Sequence, residues 1–175
     1  MSKRTDSNGY TMMFAVVMVF VVGSLLAFLA SSLKPAIKEN ERIEKQQNIL
    51  YAMGVTENDA SNANFVSTTV AGAEFKKYIK KQLVLEGNKI SESQDAYLID
   101  VKKQQANAKD GKVRKLPLFV GEKEGKTFYV APIRGKGLWD AIWGYVAMDE
   151  NMIVQGAYFD HKGETPGLGA EIKQR

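Results

Sequence analysis

The sequence predicts a membrane-anchored α+β protein, with one transmembrane helix near the N-terminus and a domain built on an antiparallel sheet with flanking helices. Residues 10–33 contain no charged side chain. The second half of the chain alternates apolar, β-branched segments with short polar turns, which is typical of β-hairpins. The chain has 175 residues, so enough remains beyond the apolar segment for one domain of moderate size.

Residues 10–33 are predicted to form the transmembrane helix. At 1.5 Å per residue this segment spans roughly 36 Å, which is enough to cross a bilayer with some tilt. A cleaved signal peptide is the alternative, and the small residues at 30–32 would suit a cleavage site. The apolar region of a signal peptide normally covers only about 7–15 residues. The uncharged segment 10–33 is longer, which favours an uncleaved anchor.

The orientation of this helix stays open on charge alone. Basic residues flank the span on both sides, two before it and four after it: Lys3, Arg4, Lys34, Lys38, Arg42 and Lys45. Their count places the C-terminal side in the cytoplasm, but long C-terminal domains can be translocated regardless of charge.

Residues 34–54 are predicted to form an amphipathic stalk helix, because apolar residues recur there at helical spacing. Pro35 is expected to kink or break the chain after the span, and Gly54 to end the stalk. Residues 1–9 precede the span, and residues 55–175 form the folded domain.

The strands of the domain are predicted from turn residues between apolar runs. A strand at 83–85 precedes a Gly87-Asn88 turn, and two hairpins follow, with strands at 116–120 and 127–133, then 142–148 and 152–159. Residues 96–101 fit either strand or helix.

Two other segments are polar. Residues 56–63 are predicted to be a loop, with a possible short helix capped by Thr56. In the lysine-rich run at 76–81, Tyr78 and Ile79 are expected to be buried, and the lysines to form a solvated face rather than a lipid-binding patch.

Composition excludes several kinds of function. The chain has no cysteine, which rules out disulfides, thiolate metal sites and cysteine-ligated iron–sulfur clusters. The net charge of +4 is spread along the chain, whereas nucleic-acid binding needs a denser basic patch. No nucleophile–base pair is recognisable, so no catalytic residue is predicted. Metal binding by Asp160, His161 and Glu164 is conceivable but weakly indicated, and no metal site is predicted.

The segment 163–169, with the sequence GETPGLG, has little side-chain bulk. Such a loop lets a bound group lie close to backbone N–H donors. Its Glu164, Thr165 and Leu168 side chains would suit a flat ring with polar edges, such as a flavin. The alternative is a tight connection from a strand to a helix beginning near Glu171.

A second glycine-rich segment has Gly135 and Gly137 on either side of Lys136. It lacks the third glycine and the helix start of a dinucleotide fingerprint. Trp139 and Trp143 are four residues apart and are expected to share one face, as core aromatics more than as stacking residues for a ligand.

The order of these features resembles the C subunit of the sodium-translocating NADH:quinone oxidoreductase over the whole chain. The resemblance rests on the apolar span, on RGKGLW at 134–139 and on GETPGLG at 163–169. The G subunit of Rnf-type electron-transport complexes has a similar TPGLG loop, but RGKGLW fits the C subunit of the sodium-translocating enzyme better. A cofactor-free, membrane-anchored assembly module is the alternative from a different class.

The resemblance implies an FMN-binding domain on the outer, periplasmic side of a bacterial inner membrane, with residues 1–9 in the cytoplasm. It implies one-electron relay through FMN, between an iron–sulfur centre and the next flavin-bearing subunit, while sodium is moved elsewhere in the complex and the chain is not catalytic alone. The implied partners are the other subunits, a flavin transferase and membrane lipid, without nucleic acid.

The resemblance also implies the site residues. Those carried over as noncovalent FMN contacts are Glu164, Thr165, Gly167, Leu168 and Gly169, with Lys136 and Trp139 as weaker additions. In the family the FMN phosphate is attached to a threonine in an SGAT-type motif, which is absent from this sequence. The acceptor threonine is therefore expected beyond Arg175, and the domain at 55–175 is expected to be incomplete at its C-terminus. Thr165 matches the loop threonine of the family and not the acceptor.

Overall fold

The structure is a computed structural model that describes residues 7–59 and 62–173. It divides into two compact units, Met1–Glu41 and Arg42–Arg175. The first contains most of a long helix, α1 (Asn8–Ala52), whose last residues belong to the second unit. The second unit contains two sheets and two further helices. The basic residues Lys3 and Arg4, used in the orientation count, lie outside the described residues.

Helix α1 is continuous through Pro35. The break predicted at this residue is therefore wrong. Proline removes one backbone hydrogen bond, but apolar helices tolerate that loss when neighbouring polar side chains satisfy freed groups.

The apolar part of α1 is exposed on all sides. In the described residues α1 is the one helix long and apolar enough to cross a membrane, with a mean hydropathy of 2.7 and no buried residue in its most apolar window. A signal sequence would meet the same criteria of length and composition. Residues such as Val19 and Phe20, each about 70% exposed, have no protein partner and need an apolar environment.

The second unit is organised by a six-stranded antiparallel sheet with the strand order β4-β3-β5-β6-β7-β8. Its strands are β3 (Ile79–Glu86), β4 (Lys89–Glu92), β5 (Lys115–Lys123), β6 (Lys126–Lys136), β7 (Ala141–Met148) and β8 (Val154–His161). The predicted α+β class with an antiparallel sheet is confirmed. Both predicted hairpins are present, and the first turns at Glu124 and Gly125, which have positive φ angles of 53° and 74°.

The core lies between one face of this sheet and the end of α1. Ile49, Leu50, Phe119 and Val130 are completely buried. Helix α2 (Ala71–Tyr78) adds Phe75, whose ring lies 5.5 Å from that of Tyr97. Helix α1 ends at Ala52, and Gly54, two residues later, has a φ of 70°, as expected for a glycine that follows the end of a helix.

The polar segments differ from the sequence-based prediction. A small hairpin of β1 (Glu57–Asp59) and β2 (Asn62–Asn64) replaces the predicted loop or short helix at 56–63, with residues 60–61 of its turn outside the described residues. The Glu57 carboxylate ties this hairpin to a residue ten positions later, because it accepts a hydrogen bond from the Ser67 amide at 2.8 Å. Sequence periodicity cannot predict such a contact.

The open segment 96–101 is helical. A 3₁₀ helix covers Ala96–Leu98, and α3 (Val101–Lys109) follows. The Asp100 carboxylate caps α3 by accepting from the Lys102 and Lys103 amides at 2.9 and 3.2 Å. In the lysine-rich run, Ile79 is buried and Tyr78 packs on the core while the lysines are exposed, as predicted.

Gly156 on β8 is expected to be essential for packing α1 onto the sheet. A Cβ atom at this position would collide with the Ala52 carbonyl oxygen, which is backbone and cannot rotate away. Gly156→Ala should therefore lower the free energy of unfolding of the second unit by about 1–3 kcal/mol, the usual cost of overpacking. Denaturant unfolding monitored by tryptophan fluorescence measures this change.

Gly135→Ala is the matched control, because a Cβ there meets no atom within 4 Å and its φ is not positive. It should change the free energy of unfolding by less than about 0.5 kcal/mol. Equal effects of the two substitutions would contradict the proposed packing of α1 against β8.

Candidate functional site

The end of the β6–β7 hairpin presents two large apolar side chains to solvent. The ladder between the strands continues past Lys136 and Ala141 to Gly137, whose amide donates to the Asp140 carbonyl at 2.7 Å. Leu138 and Trp139 therefore form a two-residue turn, and they are 67% and 65% exposed. Exposed aromatic and leucine side chains side by side are typical of a binding surface.

The glycine-rich loop begins directly after β8 and folds back on itself. The Thr165 carbonyl accepts from the amides of Leu168, Gly169 and Ala170 at 3.1–3.2 Å. Gly167 has a φ of 79°, which only glycine adopts easily. Leu168 points outward and is 71% exposed.

Glu164 connects the loop to the hairpin turn. Its side chain is buried, with 6% exposure, and Oε1 accepts from the backbone amides of Trp139 and Asp140 at 3.2 Å each. A Cβ atom at Gly137 would collide with Oε1, and one at Gly169 would lie 2.8 Å from Oε2. The carboxylate thus occupies a space that exists because both segments have glycine there.

These contacts limit the expectation that the loop offers backbone N–H donors to a bound group, since the amides at 139–140 and 167–170 are bonded within the protein. The amides of Trp139 and Asp140 are bonded to Glu164, and the Gly167 amide is bonded to the Glu171 carboxylate. The amides at 168–170 are bonded to the Thr165 carbonyl. The physical reason is that a tight turn satisfies its own donors, and a buried carboxylate takes the rest.

The surroundings of Glu164 are also held by hydrogen bonds. The Glu164 amide donates to Nδ1 of His161 at 3.1 Å, so Nδ1 is the acceptor nitrogen of this ring. Lys162 pairs with Asp140 at 2.9 Å across the same region. The hydrogen bond from Lys162, together with one from the Ala141 amide, holds the pKa of the Asp140 carboxyl below its usual value.

The conceivable metal triad does not converge. The Asp160 carboxylate accepts from the His161 amide and from the Tyr158 hydroxyl, while Nδ1 of His161 is already bonded to the Glu164 amide. Within residues 7–59 and 62–173, no group of three or more His, Asp or Glu side chains is arranged to hold a metal ion.

The two tryptophans have different environments. Trp143 lies on β7, half-buried, with the Arg134 guanidinium 5.9 Å from its ring centroid. Trp139 lies in the turn, so the expectation that it is a core aromatic sharing a face with Trp143 is wrong. The intervening turn ends the strand geometry on which a shared face depends.

The structure brings most of the predicted site residues together. Trp139, Glu164 and Gly169 meet through the carboxylate, and Thr165, Gly167 and Leu168 lie on the exposed side of the same loop. Lys136 is exposed at the end of β6. Sequence reasoning missed Leu138 and Asp140, because the central residues Leu138 and Trp139 lack the asparagine, aspartate or glycine that normally signals a two-residue hairpin turn.

Comparisons with known proteins agree with this location. The FMN-binding domain family model matches residues 137–175, which begin at the hairpin turn and include the whole loop. The C subunit of the Na(+)-translocating NADH-quinone reductase of Pseudomonas aeruginosa is 27% identical, over 95% of this chain and 68% of that protein. The corresponding C subunit of Yersinia pestis is 28% identical, over 98% of this chain and 68% of that protein.

Two solved structures have the same fold. The C subunit of the reductase from Parabacteroides distasonis superposes with a TM-score of 0.66 and 33% identity, over 81% of this chain and 64% of that one. The chain thus spans less than two thirds of that structure's length. The Shewanella oneidensis NqrC structure, at 24% identity over 77% of this chain and 66% of that one, has a TM-score of 0.58 and supports the fold alone.

The fold and the site therefore define an FMN-binding-type α+β domain anchored by an apolar N-terminal helix. The chain is thus similar, over most of its length, to C subunits of the Na(+)-translocating NADH-quinone reductase.

Glu164 is expected to hold the hairpin turn and the loop in place. Glu164→Ala leaves two backbone amides without their acceptor, which should cost about 1–3 kcal/mol of unfolding free energy. Glu164→Gln retains an acceptor oxygen and should cost less. Hydrogen exchange at the Trp139 and Asp140 amides should be faster in Glu164→Ala than in the wild type.

Glu150→Ala is the control, because Glu150 is exposed in the β7–β8 turn at the opposite end of the sheet. It should leave both amides protected. Unchanged exchange in Glu164→Ala would show that the carboxylate does not join the two segments.

Proposed function

We propose that this chain is the flavin-bearing electron-relay subunit of a sodium-pumping NADH:quinone oxidoreductase, with FMN held against the hairpin turn and the glycine-rich loop. The observation that carries the proposal is the cluster of Leu138, Trp139 and Leu168, three large apolar side chains that are each at least 65% exposed. They lie on the two segments joined by Glu164, inside the region that matches the FMN-binding domain.

These residues fit an FMN ring. A flat aromatic ring is held well by apolar and aromatic surfaces, and burying Leu138, Trp139 and Leu168 against it removes apolar area from water. The Thr165 hydroxyl and the Lys136 ammonium supply polar groups at the rim. Glu164 positions the two segments, since its Oε1 atom is already bonded inside the protein.

When bound, FMN supplies reversible electron transfer, and the protein positions it and sets its surroundings. Leu168 and Trp139 would exclude water from the ring faces. We propose that the chain is not catalytic outside its complex. The upstream iron–sulfur centre and the next flavin belong to other subunits in this proposal.

The apolar part of α1 supports membrane anchoring. We propose that it crosses a bacterial inner membrane once, with residues 1–9 in the cytoplasm and the main unit on the periplasmic side. The other subunits, membrane lipid and a flavin transferase are its proposed partners.

Trp139→Ala should weaken FMN binding by the full chain in detergent about tenfold, because loss of ring stacking costs about 1–3 kcal/mol. Equilibrium dialysis with flavin absorbance measures the dissociation constant. Met152→Ala, another exposed apolar residue in the β7–β8 turn, should leave FMN binding unchanged. Absence of saturable FMN binding by the wild type would favour the cofactor-free assembly module.

We also propose that none of the threonines in residues 1–175 is the covalent acceptor of FMN, because the SGAT-type motif is absent. The chain coexpressed with a flavin transferase should release all its flavin on acid precipitation, and its peptides should show no FMN phosphoester by mass spectrometry. An adduct on Thr165 would overturn this proposal.

A further inference from the structure

The turn between β8 and the glycine-rich loop is closed by a side chain. His161 is the last residue of β8, and its Nδ1 atom accepts a hydrogen bond from the Glu164 amide at 3.1 Å. In an ordinary β-turn the backbone carbonyl of the first residue would accept this bond. Residues 161–164 all lie in the described part of the chain, and no backbone–backbone hydrogen bond joins them to one another. The imidazole therefore takes the place of a backbone acceptor.

Other features of this turn do not account for its conformation. The φ angle of Gly163 is not positive, and a Cβ atom there would make only an ordinary contact, 3.9 Å from the Asp140 Cβ atom. The ion pair between Lys162 and Asp140 joins side chains that are 69% and 42% exposed. Exposed ion pairs of this kind contribute little to stability. The bond from the Glu164 amide to the imidazole is thus the interaction that specifies the turn.

His161 is itself held on the sheet. It is paired with Ile142 of β7, and the Lys162 amide extends the same ladder by donating to the Ala141 carbonyl at 3.0 Å. A side chain on a paired strand is a firmer support than one on a loop. The ring can therefore fix the main chain of Glu164 relative to the sheet, and the Glu164 carboxylate in turn holds the hairpin turn.

We propose that His161 is a positioning residue of the candidate site and that it acts through its Nδ1 atom. The imidazole fixes the main chain at Glu164, whose carboxylate holds the turn that carries Trp139. The inference rests on the proposed function, in which Trp139 and Leu168 contact the flavin ring. It gives the single histidine of the chain a role that requires neither a metal ion nor proton transfer.

The position of the acceptor atom separates this role from simple packing. In histidine, Nδ1 is bonded to Cγ, and Nε2 lies one bond further from the main chain. The side-chain oxygen of asparagine is also bonded to Cγ, and asparagine readily accepts from amides close ahead in the sequence. The side-chain oxygen of glutamine is bonded to Cδ and matches Nε2 instead. Asparagine should therefore reproduce the contact, whereas glutamine should not, although glutamine is closer to histidine in size.

The test compares His161→Asn, His161→Gln and His161→Ala in the full chain in detergent. Equilibrium dialysis measures the dissociation constant of FMN, and hydrogen exchange measures the protection of the Glu164 amide. His161→Ala and His161→Gln should weaken FMN binding about three- to tenfold, as expected for the loss of one hydrogen bond. Exchange at the Glu164 amide should become faster by a similar factor. His161→Asn should stay within about twofold of the wild type in both measurements.

Controls separate the contact from the stability of the fold. Circular dichroism and denaturant unfolding show whether each variant is folded. If His161→Ala does not fold, the comparison of His161→Asn with His161→Gln decides the result by the same ratio of dissociation constants. Glu150→Ala, in the exposed turn at the opposite end of the sheet, should change neither FMN binding nor exchange at the Glu164 amide.

The results that would overturn the proposal are distinct from those that bear on the proposed function. If His161→Gln binds FMN as well as His161→Asn or better, the ring acts by its volume and the proposal is wrong. Unchanged FMN binding in all three variants would also overturn it, even if the Glu164 amide loses protection. Absence of FMN binding by the wild type would overturn the proposed function. The order of the exchange rates would then still decide whether Nδ1 positions Glu164.

Discussion

The candidate site depends on one buried carboxylate. Glu164 bonds to two amides of the hairpin turn, while its own amide is bonded to His161 at the end of β8. A buried carboxylate without donors would be strongly unfavourable, and the two amides would be costly to leave unpaired. The loop therefore supplies the acceptor for two amides of the hairpin turn, and the turn supplies the donors for the buried carboxylate. We expect each segment to depend on the other for its position.

This arrangement explains why glycine occurs in both segments. Gly137 and Gly169 leave room for the carboxylate, and any Cβ atom there would meet it. Gly167 has a separate reason, since its φ is positive. A composition rich in glycine thus reflects close packing around Glu164 at two positions and backbone conformation at a third. Direct approach of a ligand to the backbone does not explain the first two.

Local sequence signals predicted most of the sheet. The Glu124-Gly125 turn forms where its residues predict it, whereas the second connection runs from Asp149 to Ile153, so that β8 begins at Val154 and not at Met152 as predicted. The elements that were missed depend on contacts distant in sequence. The β1–β2 hairpin is tied to Ser67 through Glu57, and α3 has a polar composition with no buried residue to give it a periodic signal.

For the candidate site, too, the sequence predicts which residues take part but not the contacts between segments that are distant in the chain. Composition and resemblance located the residues at 163–169, but the direction of each hydrogen bond follows from the fold. Sequence alone could not show that Glu164 faces inward while Leu168 faces outward, since both lie in one short loop. The residues of this loop therefore fall into two groups. Glu164 stabilises the loop from inside, and Leu168 is exposed on its surface.

That separation determines which polar groups would surround a bound flavin. Backbone N–H groups near a ring would favour its more anionic, reduced form, but the amides at 139–140 and 167–170 are already bonded within the protein. The positive charges that remain unpaired nearby are those of Lys136 and Arg134. The turn of this hairpin thus displays apolar surface, and the adjoining strand displays positive charge. Because the two groups are only a few residues apart on a rigid ladder, their spacing is fixed by the strand geometry.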